Sequence, residues 1–196
     1  AGDKIVSIDK EAATGKEVNN SFVLKRLRGT KGTQVVISIS RQGEKEPIEF
    51  TVTRDKIPIY SIDAAYMITP EIGYIKLNKF AAKTMDEFSD AIKELKKENF
   101  KSLILDLRDN SGGYLQTSVE LADQFLPKDQ LIVYTQGRNE NRSEYKATSK
   151  GSFEKGKLVV LIDEGSASAS EIVSGAMQDC DRALIIGRRS YGKGLV

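Results

Sequence analysis

The chain has 196 residues, 39% hydrophobic and 30% charged, and its 30 Lys and Arg against 28 Asp and Glu leave a formal charge of +2. That length holds one medium domain, or one domain and part of another. The scattered basic residues and the absence of tryptophan argue against nucleic acid as a partner, and no apolar run approaches the roughly 18 residues needed to span a membrane. With no histidine and a single cysteine, Cys180, the chain cannot build a Ser-His-Asp triad, a Cys-His pair or an internal disulfide.

Ile5, Val6 and Ile8 predict a short strand within 2–9. Val18, Phe22, Val23 and Leu27 recur at helical spacing and predict a helix over 17–27, stopped by Gly29. Val35, Ile37 and Ile39 share one face of a predicted strand over 33–41, and a polar turn, 42–46, leads to a return strand over 48–52. Residues 54–70 are expected to form a connector. Pro58 and Pro70 restrict it, and Ile57, Ile59, Tyr60 and Ile62 lay it against a core. This divides the chain into a small unit, 1–56, a connector, 57–72, and a larger core, 73–196.

In the core, 73–77 reads as a strand. Thr84 and Glu87 have the spacing of a capping box, opening a helix with Phe88, Ile92 and Leu95 on one face and ending near Glu98. The near-continuous apolar run 102–107 is what a central strand covered on both faces requires. It ends in Asp106-Leu107-Arg108-Asp109-Asn110-Ser111-Gly112-Gly113, ahead of a helix over 116–125. The glycine pair is either a plain turn or a place where backbone amides face a ligand. Asp106 and Asp109 lack neighbours that would complete a metal site, and no metal or cofactor is expected. Residues 131–134 form another strand, and 136–155 are polar, an exposed loop or hairpin tip. Residues 158–162 and 183–186 are two further buried strands. Repeated strand–helix–strand units predict an α/β fold with a largely parallel sheet.

Between those last two strands lies Gly165-Ser166-Ala167-Ser168-Ala169-Ser170-Glu171-Ile172, where a strand turns into a helix. Ser168 and Glu171 have capping-box spacing. The same place suits a nucleophile, because unpaired amides at a helix start can stabilise developing negative charge. Spacing does not choose among Ser166, Ser168 and Ser170. A serine nucleophile needs a base, and without histidine the remaining option is a lysine held neutral by burial. Lys193, between Gly192 and Gly194, is the candidate. Gly187 to Lys193 also matches the glycines and lysine of a phosphate loop, but Gly194 stands where Ser or Thr would hold magnesium. A binding module without catalysis is the other alternative, and Cys180 reads as an inert helix-end residue.

Taken together, 165–172, Gln178-Asp179, Arg182-Ala183, Gly187, Tyr191-Gly192-Lys193-Gly194 and the Asp106–Gly113 run resemble the carboxyl-terminal processing (tail-specific) serine peptidases. The resemblance extends through Gly73-Tyr74-Ile75 to Gly2-Asp3-Lys4-Ile5. It implies that Ser168 is the nucleophile and Lys193 the general base. It also implies that the amides of Gly113 or Gly112, and of Ala169, form the oxyanion hole, and that Glu171 and Asp179 support the site rather than carry protons. In some members a glutamine four residues after the lysine orients it, which is position 197 here, so Lys193 is expected to be incompletely fixed. The implied fold is a crotonase-like αβ superhelix, and the strand, helix and hairpin of 1–56 resemble the second half of a PDZ domain. The implied partners are unfolded or C-terminal protein segments in the bacterial periplasm or cell envelope, and homo-oligomerisation is left open.

Overall fold

The computed structural model describes residues 2–15, 18–56 and 60–195, and it falls into two compact units, Ala1–Ile59 and Tyr60–Val196.

The first unit contains β1 (Lys4–Ile8), β2 (Glu11–Ala12), α1 (Asn20–Leu27), β3 (Gln34–Ser40) and β4 (Ile48–Thr53). Its sheet is antiparallel in the order β2-β1-β3-β4, around a small core of Ile8, Val35 and Ile39. The Asn19 side chain accepts from Phe22 N at 2.9 Å, which sets the start of α1 at Asn20. The other end is closed from outside the helix. The Arg54 guanidinium donates to Leu27 O at 2.8 Å, Arg26 O at 2.9 Å and Gln34 O at 2.7 Å. The last carbonyls of α1 thus gain a cation where the helix dipole favours one.

The second unit comprises β5 (Ile62–Thr69), β6 (Ile72–Leu77), α2 (Thr84–Lys97), β7 (Ser102–Asp106), α3 (Leu115–Asp123), β8 (Leu131–Thr135), β9 (Ser143–Lys146), β10 (Lys157–Ile162), α4 (Ala169–Asp179) and β11 (Leu184–Gly187). Its main sheet has the order β11-β10-β7-β6-β5, parallel except for β5, while β8 and β9 form a separate antiparallel pair. The expected α/β, largely parallel arrangement is present.

Two expectations need correction. The stretch read as a connector contains β5, an edge strand hydrogen-bonded along β6; its alternation of half-buried and exposed residues was masked by the prolines on either side. Residues 57–59 lie outside the described residues. Thr84 and Glu87 do not form a capping box either. Thr84 Oγ1 accepts from Ala81 N at 2.8 Å and donates to Ser61 Oγ at 2.7 Å, while Glu87 accepts from Ser61 N at 2.7 Å and Ile62 N at 3.0 Å. The pair fastens the start of β5 to α2 instead.

Phe88, Ile92 and Leu95 of α2 and Leu121, Ala122 and Phe125 around α3 pack on Leu103, Leu105, Leu158 and Val160. Phe88, Phe125, Phe153 and Phe100 continue this core as a chain of edge-on and stacked rings with centroids 5.7, 6.5 and 4.9 Å apart. The C-terminal ends of β6, β7 and β10 therefore emerge side by side, where parallel α/β sheets place their binding loops.

Candidate active site

The loop after β7 and the turn after β10 are fastened to each other. Asn110 is fully buried: its Nδ2 donates to Leu77 O at 2.9 Å, and its Oδ1 accepts from Gly112 N at 2.9 Å. Its carbonyl accepts from Ala167 N at 3.0 Å and Ser170 Oγ at 2.8 Å. Ser166 Oγ donates to Leu107 O at 2.8 Å, and Asp163 accepts from Asp109 N at 2.8 Å and Gly165 N at 3.0 Å. Burial disfavours the charge on Asp163, but these donors outweigh it and hold the carboxyl below its usual range.

These contacts separate the three serines that spacing left equivalent. Ser166 and Ser170 are fully buried, and their hydroxyls staple the turn to the β7 loop. Ser168 is half-exposed, lines a cleft beside α4, and donates its hydroxyl to no group among the described residues. Its backbone sits at φ 54°, ψ −110°, a region that costs a non-glycine residue about 1–3 kcal/mol. A strained strand-to-helix turn of this kind pushes a side-chain oxygen out toward substrate.

The capping reading of Ser168 and Glu171 holds as well, with Ser168 N donating to Glu171 Oε2 at 2.8 Å. The Glu171 carboxylate also accepts from Ser190 Oγ at 2.8 Å, Gly192 N at 2.6 Å and Lys193 N at 2.8 Å. Burial works against ionisation of Glu171, yet this set of donors keeps it below the ordinary glutamate range. Tyr191 N adds a bond to Ser166 O at 3.0 Å. The lysine loop is thereby tied to the serine turn through its backbone.

Ser168, Glu171, Asp179, Lys193 and Gly194 line one cleft of about 510 Å³ with Leu115, 130–135, Ile172 and Ala176. Lys193 is exposed, and its side chain makes no hydrogen bond or ion pair among the described residues. The expected shielding of Lys193 from water is absent among the described residues. Asp179, at the last turn of α4, lines the cleft without bonding any group of the site among the described residues.

Of the two glycines, Gly112 has its amide engaged by Asn110. The amides of Gly113 and Ala169 donate to no acceptor among the described residues. Gly113 takes φ +148° and lies so close to Phe80 O that a Cβ would stand 1.9 Å from it. Only glycine fits there.

Asp106 belongs to a different cluster. It is fully buried and accepts from Tyr74 OH at 2.7 Å, Lys76 Nζ at 3.3 Å and the Arg108 side chain and amide. No three His, Cys, Asp or Glu among the described residues are grouped to hold a metal ion. The phosphate-loop alternative fails on geometry: no helix follows Gly187 among the described residues, and the Gly192 and Lys193 amides already hold the Glu171 carboxylate. Cys180 is half-buried with its thiol pushed up by burial, consistent with an unreactive helix end.

The sequence profile of peptidase family S41 matches residues 71–196. The chain belongs to this family. Carboxy-terminal processing protease CtpB of Bacillus subtilis is 37% identical over 99% of the chain, and the carboxy-terminal-processing protease of Bartonella bacilliformis is 38% identical over all of it. The chain spans 40% and 45% of the lengths of these two relatives. The solved photosystem II D1 C-terminal processing protease superposes over the whole chain with a TM-score of 0.64 at 30% identity, and the chain covers 53% of it.

Asn110, Asp163 and Ser190 of this S41 chain were not singled out in its sequence. Asn110 and Asp163 follow strands and precede tight turns, where short polar side chains bond local backbone. That signal was present but shared with many surface turns.

Proposed function

We propose that this S41 chain carries the catalytic portion of a carboxyl-terminal processing serine peptidase. Ser168 attacks a peptide carbonyl and forms an acyl-enzyme. Lys193 takes the Ser168 proton and passes it to the departing amine, and water then releases the new C-terminus. The observation that carries this reading is the contrast among the serines. Of the three, Ser168 is the one whose hydroxyl donates to no group among the described residues, on a strained turn, in a cleft it shares with Lys193. The amides of Gly113 and Ala169 are the donors left for the oxyanion, and Gly112 serves as support. A substrate filling the cleft would exclude water from around Lys193.

The cleft wall favours an extended peptide. Side chains alternate along a strand, so the continuous lining run 130–135 means that the cleft follows an edge of β8. The other edge pairs with β9. A substrate strand added along the free edge would gain backbone hydrogen bonds and set apolar side chains beside Ile132, Ile172 and Ala176. The first unit is read as the second half of a PDZ domain, and a periplasmic or cell-envelope location completes the proposal.

The test uses an unstructured peptide with an apolar C-terminal segment. Cleavage by the parent chain, reduced at least a thousandfold in Ser168→Ala and Lys193→Ala, is the expected result. Binding that is equal in parent and Ser168→Ala, with turnover in neither, would favour a peptide-binding module.

A further inference from the structure

We propose that Glu171 is the positioning residue of the base: its carboxylate clasps the Lys193 loop onto the serine turn, and no neutral side chain can replace it. The proposal rests on the peptidase reading for its meaning, but its geometry stands independently.

Each oxygen of Glu171 accepts two hydrogen bonds. Oε1 receives Ser190 Oγ and Gly192 N, and Oε2 receives Ser168 N and Lys193 N. Three of these four donors are backbone amides, which cannot reverse their sense. A glutamine with its NH2 group in the Oε1 place keeps Ser190 Oγ, which can turn and accept, but sets N–H against the Gly192 amide; turned the other way, it sets N–H against both Ser168 N and Lys193 N. A protonated glutamic acid loses acceptor capacity in the same way. The residue required is therefore an ionised carboxylate, and bonds to a charged acceptor are the strong ones. Oε2 joins the amide of the nucleophile to the amide of the base, so one atom sets the spacing of the two residues.

This coupling also explains how an exposed loop without secondary structure can present a base. Residues 188–195 have no ladder or helix of their own. They are held by Glu171, by Tyr191 N on Ser166 O, by Arg188 N on Ile162 O and by the Arg188 guanidinium on Glu164 at 2.6 and 3.0 Å. The other titratable and charged groups lining this cleft are Tyr134, Asp179, Cys180 and Lys193, and Arg188, Arg189 and Tyr191 flank the loop. None of them donates to the carboxylate through its side chain.

The sign of the pH response follows. A carboxyl held below its usual range contributes order that is fully present above the ordinary glutamate range and lost as pH falls through the lowered value. Acid therefore opens the clasp, and neutral and mildly alkaline conditions keep it closed.

The experiment is site-resolved amide hydrogen exchange on the parent chain and on Glu171→Gln, corrected for intrinsic rates, which reads the clasp without needing turnover. The expected result is exchange at least tenfold faster in Glu171→Gln at Gly192, or at Ser168 and Lys193, according to which oxygen the NH2 group replaces, with the interior amides of α4 unchanged. Unchanged exchange at these three positions would overturn the proposal. If Glu171→Gln unfolds, Ser190→Ala removes one donor from Oε1 and should speed exchange at Gly192 several-fold while leaving α4 intact; no change at Gly192 overturns the proposal equally. On turnover, Glu171→Gln should lower kcat with KM within about threefold and move the acid limb of the pH profile. A peptidase that is active in the parent and unaffected in Glu171→Gln would sink the clasp and leave the Ser168 reading standing, whereas an inactive parent with the predicted exchange change would do the reverse.

Discussion

Gly112 lies directly against Ser168: a Cβ built on the glycine would stand 2.9 Å from the Cβ of Ser168, 2.7 Å from Ala167 O and 2.9 Å from Ala169 N. The β7 loop is thus the floor on which the serine turn rests, and its φ of +101° already excludes most side chains. Gly112→Ala should cost about 2–3 kcal/mol in denaturant unfolding, from strain together with overpacking. It should also reduce turnover at least tenfold, since the methyl pushes on the nucleophile. Unfolding midpoints and initial rates on a peptide substrate check both halves.

The strained backbone of Ser168 leads to a different outcome. Ser168→Gly removes the cost of φ 54°, ψ −110° and should raise stability by about 1 kcal/mol, read as a higher Tm, while abolishing turnover. Ser166→Ala and Ser170→Ala should instead destabilise by about 1 kcal/mol each, because each removes one of the two hydrogen bonds to a buried carbonyl, of Leu107 or Asn110.

The Asp106 cluster sets the acid stability of the second unit. Burial opposes its charge, but the Arg108 side chain and amide, Tyr74 OH and Lys76 outweigh this and hold it well below the usual aspartate range. Tyr74 is correspondingly pushed up to about 12, by burial and by its bond to Asp106, and remains a donor at neutral pH. A lowered carboxyl contributes stability that is present above the ordinary aspartate range and lost as pH falls through the lowered value. Asp106→Asn should cost about 3 kcal/mol at pH 7. It should also flatten the acid limb of a plot of stability against pH, measured by denaturant midpoints from pH 7 downward.

Arg182 fastens the aromatic core to the end of α4. Its guanidinium donates to Phe125 O at 2.7 Å, Phe153 O at 2.8 Å and Gly156 O at 3.1 Å. A lysine has no planar fork to match three carbonyls. Arg182→Lys should lose about 2 kcal/mol and leave KM unchanged, which thermal unfolding and steady-state rates will show.

Most of the fold was legible because its signals are local. The apolar runs of β7 and β10 and the helical face of α2 follow from burial alone. β5 was missed because flanking prolines suggested a connector, and its half-buried alternation depends on its partner β6. Thr84 and Glu87 misled for a related reason: their spacing fits a local cap, yet Thr84 Oγ1 donates to Ser61 and Glu87 accepts from Ser61 and Ile62, more than twenty residues back. The Ser168 turn was readable as a motif, but choosing among three serines required knowing that Leu107 and Asn110 carbonyls lie within reach of the other two. The role of Glu171 was half visible. Its bond to Ser168 N lies three residues away, while those to Ser190, Gly192 and Lys193 depend on β11 returning the chain beside β10.

The nucleophile is tested most directly by mass spectrometry of the chain after reaction with a fluorophosphonate, which forms a stable adduct with an activated serine. A single adduct on Ser168, absent in Lys193→Ala and unaffected by ATP or phosphate, is the expected result. An adduct on Ser166 or Ser170, or labelling of Ser168 that is equally fast without Lys193, would contradict it.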